Sequence, residues 1–190
     1  RHTAAVWRWG GLAASVLLSF AVGWFTHGQW QGPTQLAQTG QRKATADFVR
    51  QASVAHAVYA PEVRHPVEVG SAEQAHLVTW LSKRLGRPLK VPDLSGQSFD
   101  LVGGRLLPGD AGARAQFMFQ NTGGERVTLY LGAVHGDGAG LNAQESAFRF
   151  ANDGAISSFY WVDQGFGYAL TGPLPRDRLM QLAQLVYQQL

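Results

Sequence analysis

Eighteen consecutive uncharged residues, Trp9 to Thr26 (WGGLAASVLLSFAVGWFT), constrain this chain more than any other stretch. As a helix rising ~1.5 Å per residue they extend about 27 Å, close to the ~30 Å hydrocarbon core of a bilayer. Trp7 and Trp9 stand at the start and Trp24 and Trp30 at the end. Aromatic rings in those places suit the two membrane interfaces. The stretch predicts one transmembrane helix within residues 1–30. A cleavable leader is the competing reading, but its apolar core usually runs ~7–15 residues and ends on a small-x-small site. Here the run is longer and closes on GWFTHGQW.

Arg1, His2 and Arg8 precede the stretch; apart from His27, nothing ionisable follows it until Arg42 and Lys43. The positive-inside rule then places the N-terminus in the cytoplasm and the bulk of the chain outside. The expected organisation is a cytoplasmic stub and membrane helix over 1–30, a juxtamembrane linker over 31–45, and an extracytoplasmic domain over 46–190. Because the first residue is Arg rather than Met, we expect a processed product or a fragment, with part of the function upstream of Arg1.

Gly11, Ser15, Ser19 and Gly23 recur every four residues and form one small-residue ridge. Such ridges let two membrane helices approach closely, so pairing with a second copy or with another protein is one reading. The other is that Gly and Ser are common in membrane helices and the ridge is incidental.

Composition excludes several classes. There are no cysteines, so disulfides and every Cys-based zinc or redox motif are ruled out. Of 16 Lys+Arg, removing Arg1 and Arg8 leaves 14 against 13 Asp+Glu. That balance is no basic patch, and direct nucleic-acid binding is not expected.

The polar stretch QGPTQLAQTGQRKAT, with Gly32-Pro33 and Gly40, reads as the linker, partly helical near its end. Phe48, Ala52, Ala55 and Tyr59 give one thin apolar face to a helix over Ala46–Tyr59, which Ala60-Pro61 ends. Glu62–Val69, carrying Pro66, reads as an edge strand or an extended crossing segment. Ser71–Leu85 predicts a second helix, with a Ser71/Gln74 capping box, a Leu77, Leu81, Leu85 stripe and Gly86 as its left-handed stop.

From Leu89 the period changes. Strands are predicted over Ser98–Leu107, Arg114–Gln120, Arg126–Val134, Ser146–Ala151, Ser157–Asp163 and Gly167–Thr171. Turn chemistry separates them at Asn121–Glu125, Asn152-Asp153-Gly154 and Gln164-Gly165. Gly103-Gly104 inside the first of these strands points to a bulge or a close backbone approach. A last helix over 176–189 presents Leu179, Leu182, Ala183, Val186 and Leu190. The expected fold class is α+β, an antiparallel meander with helices over one face.

Chemistry is sparse. His56, His65, His76 and His135 are the candidate ligands besides carboxylates, and no pair has the i, i+4 spacing of a helical metal site. Convergence of His56, His65 and His76 in space would still allow a metal site; the alternative is surface or hydrogen-bonded core histidines. Gly136-Asp-Gly138-Ala-Gly140 lacks the Lys-Ser/Thr of a phosphate loop and reads as a mobile loop. There is no G-x-S-x-G elbow and no spaced carboxylate pair, so no enzyme activity and no cofactor are expected. Phe159, Tyr160, Trp161, Phe166 and Tyr168 form an aromatic hairpin. One face must be core, and the other either offers rings to a partner or is itself covered.

The blocks His56–Tyr59, Pro61-Glu-Val-Arg64-His65-Pro66-Val-Glu68-Val69, His76–Gly86, Pro92-Asp93-Leu94, Phe99–Pro108, Arg126–Leu131, Phe159-Tyr160-Trp161 and Gly167–Leu170 resemble those of membrane-bound anti-sigma factors. These are transmembrane regulators of extracytoplasmic-function sigma factors. The resemblance covers most of the chain from about Thr45. It implies a single-pass protein of the bacterial inner membrane with a periplasmic C-terminal domain that senses a signal. Transcription would be regulated through a sigma factor held by a cytoplasmic domain that this chain does not contain. The signal is expected to bias the linker Gln31–Thr45 or the loop His135–Glu145. The alternative is a tethered periplasmic module that binds a metal or a small ligand.

Overall fold

The computed structural model describes residues 32–134 and 148–190; of 32–42 and Asp153 only the backbone is described. The expected membrane helix Trp9–Thr26, its ridge Gly11, Ser15, Ser19 and Gly23, and the loop His135–Glu145 lie outside those residues. No described helix is long and apolar enough to cross a membrane. The chain divides into two compact units, Arg1–Gly40 and Gln41–Leu190. The described part of the first is helical backbone.

The second unit is α+β. Seven antiparallel strands form one sheet: β1 Val69–Gly70, β2 Phe99–Gly109, β3 Gly112–Asn121, β4 Arg126–Ala133, β5 Arg149–Asp153, β6 Ile156–Asp163 and β7 Phe166–Gly172. Their spatial order is β1-β2-β3-β4-β7-β6-β5. The sheet is therefore two three-stranded meanders, β2–β3–β4 and β5–β6–β7, joined where β4 pairs with β7. This corrects the single meander expected from sequence. The stretch after β4 is too long for a hairpin, and local turn chemistry does not say which strand the chain returns to.

The turns form as their residues dictate. Asn121 accepts the Glu125 amide on Oδ1 at 2.9 Å and donates from Nδ2 to the Glu125 carboxylate at 2.7 Å. Gln164 and Gly165 take φ of 47° and 77° in the two-residue β6–β7 turn. At Gly103 the β2–β3 register shifts, which marks a bulge, and φ is 150°. A methyl group there would overlap the Val69 carbonyl oxygen. The glycine lets β1 close on β2.

Among the described residues there are three helices, α1 Gly32–Tyr59, α2 Gln74–Leu85 and α3 Arg176–Gln189; α2, α3 and the part of α1 that belongs to the second unit flank the sheet. α1 starts at Gly32, well before the expected Ala46. Gly32-Pro33 opens the helix because proline is tolerated in the first turn, where its missing N–H would have no intrahelical partner. The Ser71/Gln74 capping box does not form: Ser71–Glu73 is a 3₁₀ turn and α2 has no side-chain cap. Gly86 ends α2 at φ 68°, as its sequence signals.

The helices lie on both faces, not one. α2 and α3 cover the face carrying Phe117, Phe119, Leu129, Leu131, Phe159, Trp161 and Leu170, which with Leu77, Leu81, Leu179, Leu182 and Val186 form the larger core. The helix periodicity is met by Leu77 and Leu81 in α2 and by Leu179, Leu182, Ala183 and Val186 in α3, all buried. α1 covers the opposite face through Phe48, Val49, Ala52 and Ala55 against Tyr130, Val134 and Ala169. Both faces of the aromatic hairpin are thereby occupied. Phe159 and Trp161 are buried in the larger core, with Trp161 stacked on Tyr168 at 5.4 Å, and Tyr160 packs on the smaller one.

Candidate functional site

The chemistry-bearing side chains of the second unit gather between α1 and the sheet. Alternation along β3 sends Ala115, Phe117 and Phe119 to the larger core and Arg114, Gln116 and Met118 to the α1 side. Register carries the same side across the sheet. Arg105 pairs with Gln116, Gln116 with Tyr130, and Tyr130 with Ala169; a neighbouring row runs Met118, Thr128, Thr171, Ser158. Arg105, Arg114, Gln116, Thr128, Ser158 and Thr171 are all buried.

The second row is a seam of hydroxyls. Ser158 Oγ lies 2.9 Å from Thr171 Oγ1, and α1 sets Ser53 Oγ at 3.4 Å from Ser158 Oγ. One turn along, His56 is 3% exposed, and its Nδ1 is 3.0 Å from Thr128 Oγ1. Burial lowers the His56 pKa to about 4, which keeps the ring neutral at neutral pH.

Two turns earlier in α1 the partners are Phe48, Gln51 and Arg114. Phe48 meets Tyr130 edge-on at 5.2 Å. Tyr130 donates from its hydroxyl to Gln51 Oε1 at 3.2 Å, while Gln51 donates from Nε2 to Asp110. Burial pushes the Tyr130 phenol up, and Arg114 beside it pulls the other way. Arg114 is laid over glycine: a Cβ on Gly132 would fall 2.5 Å from its Cδ, and one on Gly109 would fall 2.8 Å from its Nε. Gly167, cross-strand from Gly132, makes room for Phe48 and Val134. These glycines are vacated positions filled from above. Burial is also the main influence on the Arg114 guanidinium, disfavouring its charged form.

At the end of α1 two arginines hold the chain. Arg126 donates from Nη1 to the Ala60 and Glu62 carbonyls at 2.7 and 2.6 Å, and Arg105 donates from Nη2 to the His65 carbonyl at 2.8 Å. The Arg105 guanidinium also sits 3.5 Å from the Tyr59 ring centroid, a close cation–π contact.

The layer is incompletely satisfied. Nε of Arg105, Nε and Nη1 of Arg114 and both amide atoms of Gln116 are buried with no hydrogen-bond partner among the described residues. Each buried polar atom left so costs roughly 1–3 kcal/mol, more on a charged group.

Of the sequence candidates, His56 lies in this layer, whereas His65 and His76 are exposed, in the turn after α1 and in the first turn of α2. No group of three or more His, Asp or Glu that could hold a metal occurs among the described residues. Arg105, Arg114, Gln116, Thr128 and Tyr130 were not singled out from sequence. The available signal was the glycine set Gly109, Gly132 and Gly167 on strands beside the alternating polar residues of β3. No known protein family model matches the chain, and no curated protein matches it.

Proposed function

We propose that this chain is the membrane anchor and extracytoplasmic sensory domain of an anti-sigma factor. The role is binding and relay rather than catalysis. A sigma factor of the extracytoplasmic-function class would be held by a cytoplasmic domain outside this sequence, and a periplasmic signal would release it. The observation that carries the reading is that separate blocks of the resemblance fold together. Pro61–Val69 leads into β1; Val69 pairs with Gly104 of the Phe99–Pro108 block; and Leu77 of the His76–Gly86 block packs against Gly104. α1, which ends in the block His56–Tyr59, is the element through which a signal at the sheet would act on the preceding chain. The test is a pull-down with the protein extended upstream of Arg1 as its gene encodes it. Co-purification of a sigma factor is expected, and its loss when the upstream part is removed; a preparation that retains no sigma factor would sink the reading.

A further inference from the structure

The C-terminal half of α1 is attached to its sheet face at two places with a histidine between them. Phe48 and Gln51 engage Tyr130 just past the middle of the helix, and Arg126 and Arg105 hold the carbonyls of Ala60, Glu62 and His65 beyond its C-terminus. His56 lies between, with its ring against Thr128. We infer that α1 is a pH-sensitive latch: acidification protonates His56 and lifts the helix from the sheet, with Ala60-Pro61 as the hinge.

The interface favours this on three counts. Its apolar part is small, with Ala52 and Ala55 where the opposite face has Leu and Phe, so few contacts oppose release. Its polar part already leaves buried donors of two arginines unpartnered, and undocking would let water reach them. Its charge is one-sided. The sheet brings Arg105, Arg114 and Arg126 to this face, and Asp110, at the β2–β3 turn, is taken up by Gln51. Asp47 pairs with Arg50 on α1 itself, and Glu62 accepts the Arg64 and His65 amides of its own turn. Arg149, opposite Tyr160, is a further cation on this side of the sheet, one row from Ser158 and exposed; Asp100, opposite Gln120, is exposed at the far edge, and Asp163 alternates onto the other face with Phe159 and Trp161. The hydrogen-bond partner of the imidazole is a neutral hydroxyl, so among the described residues an imidazolium gains no carboxylate there. The arginine clamp after Tyr59 is made to backbone carbonyls, which do not titrate.

The latch rests on the fold and not on the anti-sigma reading, and the two tests are separate. The measurement is hydrogen exchange on the whole chain in detergent at pH 7 and pH 5, with protection corrected for the intrinsic pH dependence of exchange. With a docked histidine near 4 and a released one near 6.5, the opening equilibrium of α1 amides over 48–58 should rise roughly 20-fold from pH 7 to pH 5. Amides of β4 and β7 should not follow. His56→Gln should remove the response while leaving α1 protected at pH 7. Equal protection of α1 at both pH values, or an unchanged acid response in H56Q, overturns the latch. If H56Q does not fold, NMR titration of the His56 ring in the native chain decides. A midpoint well below 6.5, in step with lost α1 protection, supports the latch; a midpoint near 6.5 overturns it.

Discussion

The two faces of this sheet are solved by different chemistry. On one, α2 and α3 bury a continuous apolar set centred on Phe117, Leu129, Phe159, Trp161 and Leu170. On the other, α1 lays two alanines, one valine, one phenylalanine and one histidine over arginines, hydroxyls and glycines. The first face gains stability with each methylene removed from water, at roughly 25 cal/mol per Å² of apolar area. The second gains less from its thin apolar patch, and part of that is offset by buried polar groups without partners. One face holds the fold together; the other joins to it an element that less free energy can detach.

Substitutions on the two faces should differ in size and even in sign. The largest effect belongs to the apolar face: Phe117→Ala should cost about 3–5 kcal/mol in denaturant unfolding of the whole second unit, because a fully buried ring leaves a cavity. A loss below about 1 kcal/mol would mean that this core is not the stabilising one.

Acidification comes next and acts on the α1 face. The folded-state pKa of His56, about 4, lies below the unfolded value of 6.5, so the folded state binds fewer protons between them. Stability is therefore full above pH 6.5 and falls as pH drops toward 4, by on the order of 2–3 kcal/mol. Urea midpoints measured from pH 7 to pH 4 should show that slope in the native chain and lose it in H56Q.

Gly167→Ala should cost roughly 1–3 kcal/mol, because a Cβ would lie 2.5 Å from Val134 Cγ2 and 3.0 Å from the Phe48 ring. The loss should show first in α1 amide protection rather than in global unfolding. The smallest effect is Arg114→Met, expected to be neutral or stabilising by up to about 1 kcal/mol, since it removes a buried cation with unpartnered donors while keeping bulk over Gly132. A clearly destabilised R114M would show that the guanidinium is better held than its described partners indicate.

Much of the fold was legible locally. The β-strands from Phe99 onward emerged within a few residues of their predicted bounds because turn residues at Asn121–Glu125, Gly154 and Gln164-Gly165 fix their own geometry. The α2 stop at Gly86 and the α3 stripe were equally local. The candidate site was not. Arg114 and Gln116 alternate with Ala115 and Phe117 as solvent-facing residues would, and His56 gave no spacing signal.

By itself the sequence determined the strands from Phe99 onward and their turns, the stop of α2 at Gly86 and the stripe of α3, because each of these is set within a few residues; it did not place the start of either α1 or α2. It also supplied the uncharged run Trp9–Thr26. Only the tertiary structure decided that β4 meets β7 and that a helix lies on each face. It alone turned the polar side of β3 into a buried layer under α1. Those outcomes depend on which distant segments share a face, and the apolar stripe of α1, two of its four residues alanine, is too thin to announce its partner.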